Sequence, residues 1–110
     1  MNPGKLEIYG YIEQDIGAAK NASGETIEDW KVLTPVWLER IAKAGKEIIE
    51  SDQIVGIVSD TFRLRYDPSI KQKMRLIISG VVYRIISVNY FNRQYMTIDT
   101  EKRDNEIYAT

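Results

Sequence analysis

The sequence predicts a mainly β protein with a minor α component: a small antiparallel β-barrel or rolled sheet of about six strands with one short helix. Three observations predict it. Between Asp60 and Tyr90, Phe62, Leu64 and Tyr66 alternate with Thr61, Arg63 and Arg65, the two-residue period of a half-buried strand. Asp67-Pro68-Ser69 breaks that run, because proline fixes φ and the residue before it avoids the helical region. A second apolar run, Met74 to Ser79, ends at Gly80, and a third, Val81 to Tyr90, is dense in β-branched and aromatic residues. Connections this tight demand antiparallel neighbours, since parallel pairing requires a long crossover.

Lys5 to Gln14 forms the first expected strand. Leu6, Ile8 and Ile12 share one face and Tyr9 and Tyr11 the other, and Gly10 between them implies a bend or a close backbone neighbour. Asp15 to Thr26 is polar, small and aperiodic, which reads as a mobile loop. Asn21-Ala22-Ser23 within it matches a glycosylation acceptor, a chance match without an export signal. Asp29 to Ile41 is a second strand carrying Trp30 and Trp37; Pro35 cannot donate to a ladder, so this strand is bulged or lies at an edge. Ala44 to Gln53 is the expected helix, with Ile48 and Ile49 set among Glu47, Glu50 and Asp52 to dock on the sheet. It is short, so docking rather than propensity must hold it. Strand character returns at Val55, with Gly56 and Ser59-Asp60 as weak interruptions. Asn92-Arg93 is a turn and Gln94 to Thr100 a last strand, in which Tyr95 and Thr97 alternate with Met96 and Ile98. The charged, aperiodic segment 101–110 is expected to be a flexible tail.

At 110 residues the chain is expected to be a single domain, with a core over about residues 5–100. Hydrophobic content of 44% and charged content of 28% are globular values. The net charge of −1 supplies no global field for a nucleic-acid partner. No apolar run approaches the roughly 20 residues that span a membrane, and the first residues contain no signal-peptide core, so a cytoplasmic start is expected. The sequence has no histidine and no cysteine, which removes Ser-His and Cys-His nucleophilic chemistry, disulfides and zinc thiolate sites. Its acidic residues lack the spacing of a calcium loop, and no glycine-rich phosphate loop follows a strand. A non-enzymatic protein without cofactor is the expectation.

The order of signals resembles the phage head–tail joining proteins, also called head-closure or stopper proteins. The residues that carry the resemblance are Gly24 and Trp30; Trp37 with Leu38; Gly45, Lys46 and Glu47; Leu64, Arg65 and Tyr66; Met74, Arg75 and Leu76; and Gly80, Tyr83, Ile85 and Val88. They cover about residues 5 to 100. Arg40 departs from the pattern, standing where the family favours an apolar residue, and Ile41 is expected to take that core slot through a bulge near Pro35. A basic residue common near the start of relatives is also missing, unless Lys5 serves. The resemblance implies a structural virion protein that forms a ring beneath the portal of a tailed phage or prophage, seals packaged DNA, docks the tail and opens to let DNA leave. Its implied partners are further copies of itself, a portal or adaptor protein, a tail protein and double-stranded DNA in transit, with no membrane. Its implied location is the head–tail junction of the virion, and the host cytoplasm during assembly. The isolated chain is expected to be a monomer.

Candidate contact residues follow from exposure and charge. Tyr9, Tyr11 and Tyr90 are large, stiff interface anchors, or simply cover the outside of the sheet. Trp37 can cap an open barrel end and face a partner. Arg63, Arg65, Lys71, Lys73 and Arg75 form a basic group, read either as a solvated face or as a contact with acidic residues of a neighbouring ring. DNA phosphates are the weaker choice of partner for it, since a channel that must release DNA cannot hold it tightly. The candidate gate is the segment Ile41–Gln53, in particular Gly45, Glu47, Ile48, Ile49 and Gln53, in preference to the loop Asp15–Thr26. Two alternatives stay open: an OB-like nucleic-acid-binding barrel, and a tail-side adaptor or tail-completion protein.

Overall fold

The period-two runs become strands in the computed structural model, which describes residues 6–17, 19–20 and 22–103. The strands are β1 (Ile8–Asp15), β2 (Ala19–Lys20), β3 (Thr26–Ile27), β4 (Trp30–Glu50), β5 (Gln53–Arg65), β6 (Arg75–Ile78), β7 (Val81–Tyr90) and β8 (Tyr95–Arg103). The six long strands form one antiparallel sheet in the order β1-β4-β5-β8-β7-β6, closed into a barrel by pairing of β1 with β6. β2 and β3 form a separate two-stranded ribbon, so the segment expected to be a mobile loop holds local structure. Asp15 ties the ends of this excursion together: its carboxylate accepts backbone N–H bonds from Asp29 and Gly17, both at 2.9 Å. Those two bonds hold its carboxyl below the ordinary carboxylate pKa.

The alternation decides what fills the barrel. Phe62 and Leu64 of β5, Met96 and Ile98 of β8, Leu76 of β6, Ile85 of β7, Ile12 of β1 and Leu38 of β4 meet in one buried core. The β6–β7 connection is Ser79-Gly80, both at positive φ (51° and 78°), joining the paired residues Ile78 and Val81. That is the two-residue hairpin whose twist matches its strands. β1 crosses β6 at very close range at Gly10, where an added Cβ would lie 2.6 Å from the Ile77 carbonyl oxygen. Gly10→Ala is therefore expected to destabilise the fold by about 1–3 kcal/mol through forced backbone displacement, read as a lowered urea midpoint at unchanged slope.

The expected helix is absent from the described residues. Ala44–Glu50 is the outer part of β4, and Gln53 already belongs to β5. The adjacent isoleucines that looked like a docking stripe point to opposite faces, Ile48 opposite Val55 and Ile49 opposite Ile54. A short isolated helix has little to hold it, whereas this segment gains a continuous ladder to β5 from Ala42 to Glu50. Ser59-Asp60 does not interrupt β5, and residues 101–103 continue β8 rather than fraying. Residues 104–110 lie outside the described residues, as does Lys5.

Pro35 meets the expectation set by its missing N–H. It pairs with Tyr11 of β1, while on its other side β4 has no partner before Leu38 among the described residues, so it lies on a local edge. Two irregularities bend β4. Leu33 is the extra residue against β1, and Ile41 the extra residue against β5. Ile41 does not take a core slot: as the bulged residue it is 41% exposed.

Candidate functional site

Past Ile41, β4 and β5 run on beyond the end of β1 as an arm; β8 accompanies β5 as far as Ile57, and the outer part, from Glu47 to Gly56, is two-stranded among the described residues. Its far end is the turn Ser51-Asp52, with φ of 49° and 62°. β4 pairs with β1 only up to Leu38, so from Ala42 onward its outer edge has no partner strand among the described residues. Every candidate gate residue lies on this arm: Gly45 and Glu47 along β4, Ile48 and Ile49 near the tip, and Gln53 just after the turn. Ile49 and Ile54 sit side by side and are 78% and 72% exposed. Gly45 is sterically free, the nearest atom to an added Cβ being the Ile57 carbonyl oxygen at 3.9 Å.

At the root of the arm stands a charged cluster. Asp60 continues the inward row of Phe62 and Leu64 and is 1% exposed. Arg40, on the facing strand, places its guanidinium 3.6 Å from the Asp60 carboxylate, 5.2 Å from the Phe62 ring centre and 3.5 Å from the Tyr83 hydroxyl. Neither Asp60 carboxylate oxygen has a hydrogen-bond partner among the described residues. The Thr100 hydroxyl holds the Asp60 backbone instead, donating to its carbonyl at 2.8 Å. Arg40 thus fills the slot where an apolar residue was expected, stacking on the core while keeping its charge at the rim.

The second feature is a groove on the barrel wall. β4 and β5 part company above the Leu38–Leu64 pair, and the gap is lined by Tyr9, Pro35, Val36, Trp37, Leu64, Arg65, Tyr66 and Asp67. Its volume is about 300 Å³. Tyr9 and Trp37 are register partners with ring centres 5.0 Å apart, and both are more than half exposed. Tyr66 packs edge-on against Tyr90, whose hydroxyl donates to the Ile70 carbonyl at 3.0 Å. Tyr11 is half-buried between Pro35 and Ile77.

The basic residues disperse. Arg63 pairs with Glu39 at 3.0 Å on the outside of β5. Arg75 binds the buried Glu13 at 2.6 Å and lies 4.2 Å from the Trp30 ring centre, whose indole N–H donates to Glu28. Arg65 is exposed on the groove, and Lys71 and Lys73 are exposed in the loop that follows β5. The exposed Phe91 and Ile54 and the buried Asp60 were not among the candidates from sequence. A wider cleft of about 650 Å³, lined by Asp15, Glu28, Trp30, Lys73, Arg75 and Arg84, mixes both signs of charge and presents no nucleophile–base pair. Among the described residues no group of acidic side chains is placed to hold a metal ion.

The sequence matches the profile of the family described as phage head completion protein over residues 1–103. No curated protein matches it. Among solved structures the fold is similar to a chain from the virion of a native gene transfer agent particle, at 20% identity and a TM-score of 0.71, over 86% of this chain and 92% of that one. It is also similar to a Shigella flexneri 2a protein solved in solution, at 19% identity and a TM-score of 0.64, over 96% of this chain and 100% of that one.

Proposed function

This chain belongs to the phage head completion protein family, and we propose on that premise that its copies form a ring at the head–tail junction of a tailed phage or prophage particle. There they seal packaged DNA, meet a portal or adaptor protein on one side and dock the tail on the other. Membership of the family makes the chain a structural protein of the phage head. The finer reading is supported by one observation above the others, the arm beyond Ile41 with its exposed tip and an edge that has no partner strand among the described residues. An uncovered strand edge invites pairing with another strand. Arms from several copies, brought to a common axis, cover one another's edges and close the channel, and separating them opens it. Gly45, Glu47, Ile48, Ile49 and Gln53 are the residues of this gate. Tyr9, Trp37 and Tyr90 supply contact area to neighbouring subunits, and the exposed Arg65, Lys71 and Lys73 pair with acidic partner residues. The isolated chain is a monomer made in the host cytoplasm, and the ring forms on the template of the portal or adaptor.

The test shortens the arm. Replacing Ile48–Val55 by Asn-Gly joins the paired residues Glu47 and Gly56 through a tight hairpin turn. The barrel is expected to keep its melting temperature, because the removed residues pack on nothing in the core. Particles carrying the shortened chain are expected to lose most of their nuclease-protected DNA after packaging. Normal DNA retention in those particles overturns the gate.

A further inference from the structure

We propose that Gly45 and Gly56 form a hinge across the arm, about which its outer part turns, and that this turn is the movement that opens the gate. The proposal rests on the gate reading and adds to it the place where each arm bends.

The arm is anchored on one side of this line and bare on the other. On the barrel side Asp60 is held twice, by the Arg40 guanidinium at 3.6 Å and by the Thr100 hydroxyl, which donates to its carbonyl at 2.8 Å. β8 lies along β5 there from Arg65 to Ile57, so the root of the arm is three strands wide. From Glu47 to Gly56 it is two strands wide among the described residues. Ile49 and Ile54 are exposed on this outer part, and Lys43, Lys46, Glu47 and Asp52 form no ion pair among the described residues. A segment with few buried apolar contacts and a ladder open to water belongs to the low-stability end of a fold.

The two glycines mark the step from three strands to two. Gly45 pairs with Val58 and Gly56 with Glu47. These pairs flank Lys46–Ile57, the last pair that β8 accompanies, through Arg103. Register partners share a face and alternate pairs return to it, so Gly45 and Gly56 are diagonal neighbours on one face of the arm. That face is a bare saddle of about 300 Å³, lined by Gly45, Lys46, Glu47, Gly56, Ile57 and Val58. Backbone conformation demands neither glycine, since the described glycines with positive φ are Gly17, Gly24 and Gly80. Packing does not demand Gly45 either, because an added Cβ there has the Ile57 carbonyl oxygen as its nearest neighbour, at 3.9 Å. Glycine inside a strand weakens it, and hinges are a few positions that absorb changes of φ and ψ. A weak line placed where the sheet narrows is where bending costs least.

The chain has no cysteine, so pairs of spin labels can be introduced without background. With one label on the barrel at Arg93→Cys, a second at Lys43→Cys lies before the hinge and one at Gln53→Cys beyond it. Pulsed dipolar EPR on the full chain is expected to give a distance distribution several-fold wider for the Gln53 pair than for the Lys43 pair. Adding Gly45→Val, whose β-branched side chain stiffens a strand, should narrow the Gln53 distribution towards the Lys43 width. Ala42→Val, on the same strand before the hinge, should leave it wide. Equal widths for the two pairs in the parent chain overturn the hinge, as does a Gln53 distribution that Gly45→Val leaves wide or that Ala42→Val narrows equally. In assembled particles Gly45→Val is expected to slow triggered DNA release several-fold, and release at the parental rate overturns the hinge as the opening movement. The gate reading fails by a different result, DNA retention by particles with shortened arms, which leaves the distance distributions of the isolated chain untouched.

Discussion

Phe62→Ala is expected to lower the free energy of unfolding by about 3–5 kcal/mol, the range for removing a large aromatic side chain from a packed core. Phe62 is fully buried, faces Ile98 of β8 on one side and Arg40 of β4 on the other, and meets Tyr83 edge-on with ring centres 5.5 Å apart. The substitution therefore removes apolar area, an aromatic pair worth about 0.5–1.5 kcal/mol beyond that area, and the surface on which Arg40 rests. A domain of this size has a total stability of about 5–15 kcal/mol, so the variant should unfold in low urea or fail to accumulate. Phe62→Leu keeps most of the volume and should lose distinctly less. A loss below about 1 kcal/mol for the alanine variant, within the ordinary range of point substitutions, would mean that the ring does not centre the barrel core.

The same ring shows what local sequence can reveal. Phe62, Leu64, Met96 and Ile98 alternate with polar residues, and each is buried where the alternation puts it. Gly10 announced a close backbone neighbour, and the Ile77 carbonyl is that neighbour. Pro35 announced an edge or a bulge, and β4 has an open side at that position. These features depend on a single residue or a single strand, so a local pattern is enough to find them.

The arm was hidden for the opposite reason. Ile48 and Ile49 are adjacent and flanked by acids, which imitates an amphipathic turn of helix, and Ser51-Asp52 lacks the glycine that usually marks a tight hairpin. Asp nevertheless tolerates positive φ better than most residues, and the ladder to β5 decides the outcome. The groove is hidden in part. Tyr9, Trp37 and Arg65 can each be singled out, but their meeting depends on the register Tyr9–Trp37 and on β4 and β5 diverging above Leu38. The basic group dissolves for the same kind of reason. Glu39 and Glu13, which pair with Arg63 and Arg75, come from strands far away in sequence.

Arg40 and Asp60 depend on each other in a way that a double-mutant cycle will expose. Asp60 is a buried carboxylate without a hydrogen-bond partner among the described residues, and Arg40 at 3.6 Å is its ion-pair partner. Removing one partner of a buried pair strands the other charge, at a cost of about 3–5 kcal/mol where both are fully buried. Arg40 is 37% exposed in its side chain, so water offsets part of that cost, and Arg40→Met is expected to destabilise by about 2–3 kcal/mol. The methionine keeps an apolar stem over Phe62, which separates loss of charge from loss of packing. Asp60→Leu alone removes the costly buried charge but leaves the Arg40 guanidinium at the barrel rim, where it stays hydrated, so its effect should be small. In the double variant Arg40→Met/Asp60→Leu no charge is left stranded, and the stability should return to within about 1 kcal/mol of the starting chain or exceed it. The coupling energy from urea unfolding should then be at least about 1 kcal/mol and only weakly dependent on salt, because partly buried pairs are screened less than exposed ones. The pair sits where β4 and β5 leave the barrel, beside the Ile41 bulge that sets the bend of the arm. Additive single effects would show instead that Arg40 contributes only its stem on Phe62 and that the root of the arm is held by packing and the ladder alone.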